Sequence, residues 1–184
     1  VDVKMILGID IDDTITNTSK VVNKYLKQEY SECSDRSLLS KKEYNKFLKK
    51  YIKQMRDEYE LKDGVRTAWK YFQENHFKII IITARGNRYD RKNIKNTKAF
   101  LEKNEIFYDK IYFRQIKKGK KAYREHVDLF IDDKERVLDD VALYGIHGVC
   151  MGESSKYPSF QDWYQLLDYI KEVNNGRREN IRCE

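Results

Sequence analysis

The sequence predicts an α/β protein, with a central parallel β-sheet flanked by helices and a small helical insertion after the first strand. Three observations carry this prediction. Short apolar runs such as Ile79-Ile80-Ile81-Ile82 alternate with helical patterns, the signature of a parallel sheet. The first run, Met5-Ile6-Leu7-Gly8-Ile9, is bounded by polar residues and reads as a buried strand. Between about residues 16 and 63 the alternation stops, and two helical stretches follow each other directly.

Strands are expected at 5–10, 78–83, 110–113, 129–132 and 148–151. Helices are expected at 19–30 and 41–59, and a third at 65–75 leads into the second strand. On the second helix Tyr44, Phe47, Leu48, Tyr51, Ile52 and Met55 fall on one face at helical spacing. That face predicts a small bundle core; stacking of Tyr44, Phe47 or Tyr51 on a nucleobase is the rival reading. The division is therefore 1–15 with 64–184 as the α/β core, and 16–63 as a helical cap over the carboxyl end of the first strand. The polar stretch 174–184 reads as a frayed tail.

Composition bounds the function. The chain has 184 residues, 36% charged and 40% hydrophobic, as expected of one soluble domain with a modest insertion. Its longest apolar stretch is far too short to span a bilayer, and no signal-peptide pattern opens it, so a cytoplasmic location is expected. Cys33, Cys150 and Cys183 lack the spacing of a zinc site or a disulfide framework, and His76, His126 and His147 are equally scattered. The net charge of +7 favours anionic ligands such as nucleotides, phosphosugars or nucleic acid.

The chemistry is concentrated at strand ends. Asp10-Ile11-Asp12-Asp13-Thr14 crowds three carboxylates at the exit of the first strand. Like charges at close range raise one another's pKa, so a fold keeps such a cluster for a cation or for a carboxyl that must hold a proton. The plain alternative is that Asp13 or Thr14 caps the next helix. The second strand ends Thr83-Ala84-Arg85-Gly86, where a hydroxyl and backbone N–H groups suit a phosphate oxygen. The fourth ends Asp132-Asp133, a second acidic pair. Lys117, Lys118, Lys120 and Lys121 lie between them, and one of these suits a phosphoryl group. Ligands of open α/β sheets bind outside the carboxyl ends of strands, so these elements are expected to meet. Arg85, Arg88, Arg91 and Lys92 are a further basic stretch. It reads either as a grip on a second phosphate or as a solvated helix start.

Taken together, Asp-x-Asp-x-Thr, Ile-Thr-Ala-Arg, a lysine and Ile-Asp-Asp, in this order, resemble the haloacid dehalogenase (HAD) superfamily. The insertion resembles that superfamily's C1 cap on a Rossmann-like core. The resemblance implies a Mg²⁺-dependent phosphoric monoester hydrolase working through an aspartyl phosphate. It implies Asp10 as nucleophile and Asp12 as general acid and base. It implies Thr83, Ala84 and Lys118 as phosphate ligands, and Mg²⁺ held by Asp10, the main-chain carbonyl of Asp12 and Asp133, with Asp132 supporting. An acid at Asp12 fits a phosphatase, since a departing halide needs no proton.

Thr97-x-x-Phe100-Leu101, Phe107-Tyr108-Asp109 and Leu129-Phe130-Ile131 add a finer likeness to the 5′(3′)-deoxyribonucleotidase group. A nucleoside monophosphate is therefore the expected substrate. The alternatives are a sugar phosphate, a 3′-phosphorylated nucleic-acid end, and an inactive module that only binds a phospho-ligand. A receiver domain fits less well, because its phosphorylated Asp ends strand three, where this chain has Arg114.

Overall fold

The computed structural model describes residues 5–31, 36–86 and 92–182, with side chains up to Gly176. The chain divides into two compact units: Val1–Ile15 with Lys62–Glu184, and Thr16–Leu61.

The larger unit is an α/β core built on one parallel sheet of six strands in the order β3-β2-β1-β4-β5-β6. The strands are β1 Ile6–Ile9, β2 Lys78–Ile82, β3 Lys110–Tyr112, β4 Leu129–Asp132, β5 His147–Met151 and β6 Ser159–Phe160. All but β6 fall where the apolar runs predict them. The edge strand β6 is only two residues long and follows Pro158, whose carbonyl accepts from Cys150 N at 2.8 Å. Such a short strand has no periodicity to read.

Both faces of the sheet are covered, which is why its strands are continuously apolar. Alternate residues of a strand point to opposite faces, and Ile79, Ile80, Ile81 and Ile82 are all fully buried. One face packs Ile80, Ile82 and Phe130 against Ala122, Val137, Leu138 and Val141. These come from α5 Gly119–Arg124 and α6 Glu135–Ala142. Helices α3 Val65–Glu74 and α7 Trp163–Arg182 also pair within this unit, with the Trp69 and Trp163 rings 5.2 Å apart.

Several helices end in the same way. After α3, α4 Asn93–Lys103 and α5, the residues His76, Glu105 and His126 take φ near +57°. In each case the next N–H reaches back to the fifth residue before it, as in Phe77 N to Phe72 O at 3.0 Å. This closes the helix with a left-handed cap and drops an apolar residue into the core. His76, His126 and His147 are exposed.

Two of the readings weighed above do not hold. Helix α1 Thr18–Glu29 starts after Asn17 and has no side-chain cap, so neither Asp13 nor Thr14 caps it. The stretch from 174 is helical within the described residues: α7 continues to Arg182, and Asn174 is buried. Asn174 continues the buried stripe of Trp163, Leu166, Leu167 and Ile170, so its polar character hid a helical position. No helix among the described residues is long and apolar enough to cross a membrane. Cys33, Cys183, Arg88 and Arg91 lie outside the described residues.

The smaller unit holds α1 and α2 Lys41–Asp57. Helix α2 starts in a full capping box: Ser40 Oγ accepts from Glu43 N, and Glu43 accepts from Ser40 N at 2.9 Å. Phe47 and Met55 are buried against Val21, Val22, Tyr25 and Leu26, with Tyr44 and Tyr51 packed beside them. The Phe47 ring lies 5.9 Å from Tyr44 and 5.3 Å from Tyr51, so these aromatics form the bundle core.

Candidate active site

The site grows from the register of three strands. Ile9 pairs with Ile131 on β4 and with Ile81 on β2. Asp10 and Asp132 therefore leave neighbouring strands side by side, and Asp10 N donates to Ile131 O at 3.0 Å. Thr83 follows β2 on the other side of β1.

Lys118 closes the group from the turn before α5. Its ammonium lies 2.7 Å from Asp10 Oδ1 and 2.7 Å from Asp132 Oδ2, with all three side chains buried. Asp140 on α6 sets this turn. Its Oδ2 accepts from Lys118 N and Gly119 N, each at 2.7 Å. Glycine is required at 119, because a Cβ there would lie 2.4 Å from the Asp140 carbonyl oxygen.

Asp10, Asp132 and Asp133 offer oxygens that lie within 4.8 Å of one another. Asp132 is fully engaged: Oδ2 accepts from Lys118, and Oδ1 from Lys134 N at 3.0 Å. Asp133 meets the half-exposed Lys134 ammonium at 3.4 Å. Asp10 Oδ1 is buried, and among the described residues it accepts no well-directed hydrogen bond. The Lys118 ammonium, 2.7 Å away, is its ion-pair partner. Three carboxylates converging at one largely buried point fit a small hard cation, which prefers such oxygen ligands.

The electrostatics agree. Burial pushes the Asp10 carboxyl up to about 6; Lys118 opposes this, while Asp132 and Asp12 add to it. Burial also raises Asp132 and Asp133. Burial alone would lower Lys118, but Asp10 and Asp132 outweigh it and hold the ammonium above its ordinary value.

Asp12 stands apart from the three-carboxylate cluster. Its carboxylate is held by Arg85, whose Nε donates to both oxygens at 3.0 Å and whose Nη2 donates to Oδ1 at 2.6 Å. Thr83 is buried, and its hydroxyl accepts from Arg85 N at 3.2 Å; Ala84 is exposed. Asp13 takes φ +58° in the turn, and Thr14 O accepts from Trp163 Nε1 at 2.8 Å.

The structure thus brings Asp10, Lys118, Asp132 and Asp133 together. Among Lys117, Lys118 and Lys121, Lys118 is the one at the carboxylates. The solvated reading of Arg85 is overturned, since its side chain is only 9% exposed, whereas Lys92 is exposed, in keeping with that reading. Arg85 and Asp140 as partners of Asp12 and Lys118 escaped sequence reasoning. A cation directly after a strand end, opposite an acidic strand end, was the available signal for the first. Asp140 had none.

A parallel sheet of this order with helices on both faces is also the fold of solved HAD-type hydrolases. Solved structures share it across nearly their whole length. A predicted phosphatase from Clostridium acetobutylicum superposes with a TM-score of 0.69 at 12% identity, over 93% of this chain and 100% of that one. A haloacid dehalogenase-like hydrolase from Streptococcus pneumoniae gives 0.65 at 14% identity, over 90% and 98%. A HAD phosphatase from Thermococcus onnurineus gives 0.60 at 16% identity, over 90% and 97%. No protein-family model and no curated protein matches the chain by sequence.

Proposed function

We propose that this chain is a Mg²⁺-dependent phosphomonoesterase acting on a small phosphate ester through an aspartyl phosphate on Asp10. The observation that carries this reading is the buried Asp10–Lys118–Asp132 group beside Asp133 at the carboxyl ends of neighbouring parallel strands.

In this reading an Asp10 oxygen attacks phosphorus, and the bond to the ester oxygen breaks. Asp12 passes a proton to the leaving oxygen. Asp12 then takes a proton from water, water attacks phosphorus, and inorganic phosphate leaves as Asp10 is regenerated. Lys118 offsets the charge of Asp10 and of the phosphoryl oxygens, and Thr83 and Ala84 supply further donors. Mg²⁺, held by Asp10, Asp133 and the Asp12 carbonyl, neutralises phosphate charge when bound. Asp133 suits this role better than Asp132, because both Asp132 oxygens already accept protein hydrogen bonds.

The finer proposal is a nucleoside monophosphate. Its support is the likeness to deoxyribonucleotidases and the net charge of +7. Two residues of that likeness also have local partners: Thr97 meets Arg85, and Asp109 Oδ2 accepts from Ile79 N at 2.7 Å.

The test is hydrolysis of nucleoside monophosphates, sugar phosphates and a 3′-phosphorylated oligonucleotide, each with Mg²⁺ or EDTA. Mg²⁺-dependent turnover that disappears in Asp10→Asn is expected. A flat profile across esters would remove the nucleotidase proposal, and a preference for the oligonucleotide would replace it. No turnover on any ester would leave a phospho-ligand-binding module.

A further inference from the structure

Arg85 has no task in the mechanism above, yet it is the most elaborately held cation near Asp12. Its guanidinium grips the Asp12 carboxylate with Nε and Nη2. Its third nitrogen, Nη1, donates to Thr97 Oγ1 at 3.2 Å, and that hydroxyl donates to Asn93 Oδ1 at 3.1 Å. Thr97 is 2% exposed. The Arg85 backbone is fixed as well: its N–H donates to Thr83, and its carbonyl accepts from Arg114 N at 2.9 Å. A solvated arginine at a helix start has none of these constraints. A planar fork held on both sides matches a carboxylate in one orientation only.

We propose that Arg85 is a positioning residue for Asp12. Anchored by Thr97 and Asn93 on α4, it holds the Asp12 carboxylate in its ionised, base form, oriented to take the proton from water. The catalytic part rests on the phosphatase reading; the pairing itself does not. The consequence is a coupling: Arg85 acts through Asp12 and makes no contribution once Asp12 is gone.

The experiment is a double-mutant cycle on the full chain with Mg²⁺ and a phosphate ester the wild type hydrolyses. Arg85→Lys keeps the charge and loses the fork. It is expected to lower kcat about 100-fold, as misplacement of a proton-transfer group does, with KM little changed. Arg85→Ala should respond to added guanidinium chloride at low millimolar concentration, and Arg85→Ala/Asp12→Asn should not. In the Asp12→Asn background, removing Arg85 should cost almost nothing more.

Additive losses overturn the proposal, and so does a raised KM with kcat kept, which marks direct substrate binding. The Arg85 Nε–H resonance provides a readout without turnover. It should be protected from exchange in wild type and lose that protection in Asp12→Asn. Equal protection in both proteins would overturn the grip. Absence of wild-type turnover with a protected resonance would instead count against the phosphatase function.

Discussion

Asp10→Asn should stabilise the metal-free protein while abolishing its activity. Asp10 has a folded pKa of about 6 against an ordinary carboxyl value of 3.8, chiefly through burial. The folded state therefore favours the protonated carboxyl. Its contribution is fully present below pH 3.8 and is lost as pH rises through about 6. At about 1.4 kcal/mol per unit of pH, the gap amounts to about 3 kcal/mol at neutral pH. Asparagine mimics the neutral carboxyl and carries no such cost. In urea denaturation with EDTA, wild type and Asp10→Asn should be nearly equal at about pH 4. At about pH 7.5 the variant should be more stable by about 3 kcal/mol. Saturating Mg²⁺ should close that gap by binding folded wild type. A variant that is less stable at neutral pH, or a difference that does not change with pH, would refute the reasoning.

Other consequences follow from single contacts. Lys118→Met leaves Asp10 and Asp132 buried without their shared cation, so metal-free stability at neutral pH should fall by about 3–5 kcal/mol in urea titrations. Asp133→Asn should weaken Mg²⁺ binding at least about tenfold by calorimetry, with little effect on the metal-free fold. Ser40→Ala removes one half of the α2 capping box and should cost about 1 kcal/mol, read by hydrogen exchange in the first turn of α2.

Much of the core and site was legible because both were written in local runs. Each buried strand is a continuous apolar segment, and Asp10, Thr83 and Asp132-Asp133 stand directly at strand ends, where the fold gathers polar groups. Lys118 was narrowed down by likeness alone; its geometry depends on Asp140, 22 residues away. The Arg85–Asp12 pair spans 73 residues and follows from the β1–β2 register, which no short window contains. Asn174 was misread because one polar residue at a stripe position resembles the start of a tail. In the smaller unit, periodicity alone identified the aromatic core, since helical spacing is itself a local property.

The junction of the smaller unit is stitched shut. Lys62 N donates to Ile15 O at 2.8 Å, and Thr16 and Leu61 form an antiparallel bridge. The strands of the core are therefore indifferent to how much chain lies between residues 16 and 61. Doubling such a loop adds only about 0.6 kcal/mol of closure entropy. That segment can lengthen, shorten or be exchanged while Asp10 and its partners keep their register.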